Sequence, residues 1–92
     1  MLASFYKLNL KKTRFINCDL QEVDFVETDL SGALFTNCNL GRAVFERTNL
    51  TQADFSSAYN YSLDPESNKI AKARFSMTGL PGLLDKYNII IT

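Results

Sequence analysis

The chain has 92 residues, ten Lys plus Arg against ten Asp plus Glu, two cysteines and no histidine. That length is one domain at most, the balanced charge argues against broad attraction to nucleic acid or membrane, and the missing histidine removes any Ser-His or Cys-His nucleophile pair. No stretch approaches the ~18 apolar residues of a membrane span, and the start Met-Leu-Ala-Ser-Phe-Tyr-Lys lacks the apolar core of a signal peptide, so a cytoplasmic protein with no membrane contact and no direct nucleic-acid contact is expected.

The first element begins near residue 3 and is a repeat. Every fifth position from 5 to 55 is Phe or Leu in strict alternation: Phe5, Leu10, Phe15, Leu20, Phe25, Leu30, Phe35, Leu40, Phe45, Leu50 and Phe55. Two residues before each sits a mostly small or medium side chain, such as Thr13, Cys18, Ala33, Cys38 or Ala53. A helix would scatter this series, because five residues turn it by about 140°. A straight strand would place successive members on opposite faces, because five is odd. The pattern works if each five-residue unit turns a corner, so that residues two apart share one inward face.

Longer matches show how many corners close a turn. Phe15-Ile-Asn-Cys-Asp-Leu20 returns as Phe35-Thr-Asn-Cys-Asn-Leu40, and Thr28-Asp29-Leu30 returns as Thr48-Asn49-Leu50, each at an offset of twenty. Four five-residue sides per coil stack Phe on Phe and Leu on Leu, about 4.8 Å apart. A fifteen-residue coil would stack Phe on Leu.

The register of Ala53-Asp54-Phe55 and Cys38-Asn39-Leu40 resembles the A(D/N)LXX repeat of the pentapeptide-repeat family. The resemblance runs from residue 3 to about 59, and Ile70, Phe75 and Leu80 rejoin it. It implies an all-β fold, a right-handed quadrilateral β-helix of about four coils; the handedness comes from the resemblance and not from the spacing. The expected core ladder is the Phe/Leu series from Phe5 to Phe55, together with Phe75.

The repeat breaks where Asn60 and Pro65 replace the expected apolar residues, and residues 61–68 read as a bulge or loop. Beyond Gly79 the spacing of Leu80, Leu83, Leu84 and Tyr87 fits an amphipathic helix, with Pro81 in its first turn and Asn88 at its end. Ile89, Ile90 and Ile91 then form a short β-prone run. The chain divides into a β-helix over 1–78, with the loop near 60–68, and a cap and dimerisation segment over 79–92. A cap is needed because the last coil would otherwise expose its apolar layer. The first coil is covered by Met1 and Leu2, pairs with something else, or continues into a longer chain.

No catalytic, cofactor or metal set presents itself. Cys18 and Cys38 point inward by register and are expected to be buried, reduced core residues; two thiols without histidine make a poor zinc site. The Asn49-Leu-Thr51 and Asn60-Tyr-Ser62 glycosylation patterns are read as chance. Charged columns pair Glu22 with Arg42, Glu27 with Lys7 and Arg47, and Asp54 with Arg74, and Asn17 is expected to ladder with Asn37. Asp19, Glu22, Asp24, Glu27 and Asp29 form an acidic stretch that could present a partner-binding patch. Leu83, Leu84, Tyr87, Ile89, Ile90 and Ile91 are the expected interface of a homodimer. The functional expectation is a non-enzymatic structural or protein-binding module whose partner is unidentified. The tail from Gly82 to Ile91 is also similar to the ending of quinolone-resistance (Qnr-type) pentapeptide proteins. That similarity implies an alternative, a dimeric DNA mimic binding type II topoisomerase, although the chain lacks their length and net acidity.

Overall fold

A side chain that must face inward every second residue, with a corner every fifth, produces short straight sides instead of long strands. The computed structural model describes residues 3–92, and its sides are correspondingly brief. β1 (Arg14–Ile16), β2 (Leu34–Thr36), β3 (Asp54–Phe55) and β4 (Arg74–Phe75) form a parallel sheet in the order β1-β2-β3-β4. Phe15 faces Phe35, and Phe55 faces Phe75. Isolated bridges on the other sides keep the same offset of twenty, as Asp19 with Asn39, Asp24 with Val44 and Asp29 with Asn49. The chain is a right-handed quadrilateral β-helix, with overall extents of 36 × 28 × 25 Å.

The corners have one recurring conformation. The residue two after the central Phe or Leu is left-handed, from Lys7 (φ 61°) and Lys12 (φ 58°) at every fifth position onward to Gln52 (φ 61°). In most corners an N–H donates back across the turn, as Leu8 to the Phe5 carbonyl and Ala33 to the Leu30 carbonyl, both at 3.0 Å. This is the type II arrangement, which favours Gly or Asn at the left-handed position. Lys, Glu, Arg and Gln accept it here because the stacked coil holds it. The Lys12 N–H donates to the Ser31 carbonyl and the Gln52 N–H to the Ala71 carbonyl, both at 2.9 Å.

Two Phe columns from opposite sides meet inside the coil. Phe15, Phe35, Phe55 and Phe75 stack at successive centroid distances of 5.1, 4.8 and 5.2 Å. Phe25 stacks on Phe45 at 5.0 Å, and the columns touch edge to face, as Phe25 on Phe35 at 85°. Both geometries suit the ring quadrupole. Leucines fill the other two sides.

The core ladder is fully buried only in its middle, from Leu20 to Phe55. Phe5, Leu10 and Phe15 in the first described coil, and Phe75 in the last, are partly exposed. Each has a coil on one side only. Cys18 is partly exposed for the same reason, while Cys38 is fully buried, which corrects the expectation that both thiols are sealed. The suggested cover by Met1 and Leu2 lies outside the described residues.

The break at Asn60 is a slip of one residue. Asn60 turns outward in a left-handed conformation (φ 64°), and its amide donates to Asn39 Oδ1. Tyr61 enters the core instead, 5.4 Å from the Phe55 ring and 5.7 Å from Phe75. Leu63 is buried after it, and by Lys69 the stacking is again in register with Asn49.

The cap is helical but not α-helical. Met77–Leu83 and Asp85–Tyr87 are 3-10 helices. Pro81 lies inside the first and has no N–H to donate, so the longer α pattern is not sustained. The Leu80–Leu83 and Leu84–Tyr87 spacings fit three residues per turn as well as they fit 3.6. Ser76 caps the first helix by accepting the Gly79 N–H at 3.1 Å. Asn88 ends the second in a left-handed conformation, as the sequence suggests. Residues 89–91 form no strand.

Candidate interaction surface

The outward residue just before each central Phe or Leu is usually Asp or Asn, and its oxygen accepts the backbone N–H two residues on. Asp24 accepts from Val26 at 2.8 Å, Asp54 from Ser56 at 2.8 Å, Asp19 from Gln21 at 3.2 Å and Asp29 from Ser31 at 3.1 Å. These are Asx turns that satisfy an N–H the neighbouring coil does not reach. Inside the corner a second device repeats. Thr28 Oγ1 donates to the Phe5 carbonyl (2.7 Å), Thr48 Oγ1 to Phe25 (2.6 Å) and Asn68 Nδ2 to Phe45 (3.0 Å). Cys38 Sγ does the same to Phe15 at 3.2 Å.

This organisation disperses the acidic stretch. Asp19, Asp24 and Asp29 lie on three successive sides of the coil, each tied to its own backbone. Glu22 meets Arg42 at 3.4 Å and Glu27 meets Arg47 at 3.3 Å. Lys7 does not reach Glu27 and sits over the Tyr6 ring at 5.2 Å. The stretch is thus a set of internally engaged carboxylates, and the structure does not gather it into one patch. Burial alone would raise the Asp29 carboxyl, but the Ser31 hydrogen bonds and the Lys11 ammonium at 3.8 Å leave it below the ordinary carboxylate value. Asp54 is lowered by the Ser56 hydroxyl and N–H, with Arg74 adding its charge. Asn17 and Asn37 share the left-handed corner conformation, but no side-chain hydrogen bond joins them among the described residues; the Asn37 N–H donates to Ser57 Oγ.

A groove of about 390 Å³ opens along one corner, between Glu27, Asp29, Arg47, Asn49, Glu66 and Lys69. Its lining carries both signs of charge.

The cap presents the most apolar surface. It docks through two glycines. A Cβ on Gly79 would collide with the Tyr61 hydroxyl, and one on Gly82 with the Tyr61 carbonyl oxygen. The Gly82 carbonyl accepts the Leu63 N–H at 3.0 Å. Lys86 then clasps the loop, with Nζ 3.0 Å from Asp64 and 3.3 Å from Glu66, and the Tyr87 hydroxyl donates to Glu66. The Glu66 N–H and the Lys86 ammonium depress the Asp64 carboxyl, and Asp64 followed by Glu66 raises Lys86. Of the expected interface residues, Leu83 packs on the core. Leu84, Tyr87, Ile89, Ile90 and Ile91 are exposed, Ile90 at 89 %.

The Tyr61 seat, the two glycines and the Lys86 clasp are not visible as a site in the sequence. The one signal for the seat is an aromatic residue directly after the break at Asn60.

The family model described as "Pentapeptide repeat region" matches residues 2–64. Among solved structures, a pentapeptide repeat protein from the thylakoid lumen of Arabidopsis thaliana is 27% identical, with a TM-score of 0.70 over 76% of this chain and 48% of that one. QnrB1, a plasmid-mediated fluoroquinolone resistance protein, is 19% identical with a TM-score of 0.49 over 97% of this chain and 45% of that one. The chain spans about half the length of these structures. A search of the curated proteins found no significant match. Among the described residues, no helix is long and apolar enough to cross a membrane.

Proposed function

The chain belongs to the pentapeptide-repeat family, and from that premise we propose that it is a non-enzymatic module that pairs with a second copy through its C-terminal tail and offers its sides to a protein partner. One observation carries this reading. Exposed large apolar residues are densest in sequence beyond residue 83, where Leu84, Tyr87, Ile89, Ile90 and Ile91 follow one another, whereas Tyr6, Leu8, Ile16, Val44, Tyr59, Met77 and Leu80 are spread over the rest of the chain. The sides carry ion pairs between coils, Glu22 with Arg42, Glu27 with Arg47 and Lys11 with Asp29. Three consecutive isoleucines left free would be an association hazard, and a two-fold contact buries the same patch on both chains. The two free thiols suit a reducing compartment, in keeping with a cytoplasmic setting.

Sedimentation equilibrium at tens of micromolar tests the pairing. A dimer mass is expected, with Ile90→Glu shifting the chain to monomer, since an unpaired carboxylate in a buried contact is strongly unfavourable. A monomeric parent chain, or a variant that stays dimeric, removes the tail from the interface.

The similarity of the tail to Qnr-type proteins supports the alternative of a duplex-DNA mimic acting on type II topoisomerase. Such a mimic needs closely spaced negative charge along its length. Here Glu22 and Glu27 face arginines, and Asp19, Asp24 and Asp29 are dispersed around the coil. No protection of gyrase from a fluoroquinolone is expected in a supercoiling assay. Clear protection would replace the first reading with this one.

A further inference from the structure

Cys18 and Cys38 hold the same place on successive coils, two residues ahead of Leu20 and Leu40. Their backbones stack directly, with the Asn39 N–H donating to the Cys18 carbonyl at 3.1 Å. Each sulfur lies 3.4 Å from the carbonyl oxygen two residues before it, that of Ile16 for Cys18 and that of Thr36 for Cys38. The two side chains therefore leave equivalent backbone in the same direction. Their sulfurs are displaced by roughly one strand spacing, about 4.8 Å. A disulfide asks the Cβ atoms to approach to about 3.5–4.5 Å, closer than in-register parallel stacking brings them. Two metal–thiolate bonds of about 2.3 Å laid end to end span nearly the same distance as the stacked sulfurs.

We propose that the stacked Cys18–Cys38 pair is a linear, two-coordinate site for a soft monovalent cation of the Cu(I) type. Thiolates select such ions by softness. Among the described residues no group of three or more His, Cys, Asp or Glu side chains converges, so a four-coordinate zinc site lacks ligands while a two-coordinate ion does not need them. Access is one-sided. Cys18 is partly exposed and lines a surface groove with Asn17, Asp19, Asn37, Asn39 and Tyr59. Cys38 is fully buried, so the inner bond is shielded from water. The step balances as one cation plus two thiols giving a dithiolate complex of charge −1 and two protons released to solvent. The thiols donate to the carbonyl oxygens of Phe15, Ile16 and Thr36, so taking up the ion exchanges these hydrogen bonds for metal–sulfur bonds.

The core role of Cys38 alone does not require sulfur. Thr28 and Thr48 make the same kind of bond on the opposite side of the coil, so Cys38→Thr preserves the packing while removing the ligand. The test is titration of the full reduced chain with Ag(I), and with Cu(I) against a competing chelator, following stoichiometry, proton release and the melting temperature. One ion per chain and two protons per ion are expected. Affinity should rise about a hundredfold per pH unit below the thiol range, because two protons are displaced. The melting temperature should rise with the ion in the parent chain, and both this rise and tight binding should vanish in Cys38→Thr and in Cys18→Ser. Binding that survives Cys38→Thr overturns the proposal, because it would place the ion on Cys18 alone. So does release of fewer than two protons, or ion uptake that appears only after denaturation.

Discussion

At the scale of single residues, the Asp or Asn that recurs before most of the central Phe and Leu residues is explained by its own backbone. Its carboxylate or amide closes an N–H that stacking leaves open, which is why the acidic stretch reads as a patch in sequence and not in space. The inward residues divide into packers and donors. Phe35 lies between Phe15 and Phe55, stacked at 5.1 and 4.8 Å, and has no exposed surface. Phe35→Ala is expected to cost about 3–5 kcal/mol, the range for a buried aromatic; a loss below about 1 kcal/mol in urea unfolding would place it outside the core. Thr48 is a donor, buried, with its hydroxyl 2.6 Å from the Phe25 carbonyl. Thr48→Val keeps the shape and removes the hydrogen, leaving that carbonyl only the longer 3.3 Å bond from the Thr28 N–H. A loss of about 1 kcal/mol is expected, and a neutral result would mean that the Thr28 N–H satisfies the carbonyl alone.

At the scale of elements, the informative parts are the corner, the slip and the cap. A left-handed residue is unfavourable taken alone, yet the same corner recurs along the column because each is bonded to the coil above it. The slip at Asn60 was legible as a break, but its outcome was not. Nothing in the spacing says that Tyr61 replaces the missing apolar residue, because that depends on the space beside the stacked Phe55 and Phe75 rings. The cap was legible as helical, and its 3-10 character was not, since Leu80, Leu83, Leu84 and Tyr87 satisfy both periods. Its docking rests on close backbone approach. Gly82→Ala should therefore lift the cap, because the new Cβ would meet a backbone oxygen that cannot yield. The expected readout is faster hydrogen exchange at the Leu63 amide, which bonds to the Gly82 carbonyl; unchanged exchange would show that the cap tolerates the shift. The Tyr61 hydroxyl is buried with no hydrogen-bond partner among the described residues. Tyr61→Phe is expected to leave the melting temperature unchanged or raised, and a marked drop would reveal a partner for the hydroxyl.

At the scale of the whole molecule, charge is distributed so that coils and cap attract one another, and this sets the pH response. Asp29, Asp54 and Asp64 all titrate below the ordinary 3.8 in the folded chain. A carboxyl lowered by folding binds fewer protons than it does unfolded. Its contribution is present above the ordinary value and is lost as pH falls through the folded value. Lys86 is raised above 10.5, so its contribution is full below that value and is lost as pH climbs through the folded one. The urea midpoint should be flat through neutral pH, fall below about pH 4, and lose cap protection first at strongly alkaline pH. A midpoint that rises between about pH 5 and pH 3 would contradict the assignment of these carboxylates.

The coil length of twenty and the inward register of the Phe and Leu residues were determined by the sequence itself. Each is local and repeated, so Phe15 with Phe35 and Thr28 with Thr48 report the same geometry independently. The tertiary structure decided the rest. It settled that Cys18 and Phe5 are half open while Cys38 and Phe35 are sealed, that Tyr61 fills the last layer, and that Lys86 reaches Asp64 and Glu66. These depend on which coil or cap lies above and below a residue, and on how closely two backbones approach. A one-dimensional period carries neither quantity, because it is identical for a coil in the middle of the column and for a coil at its end.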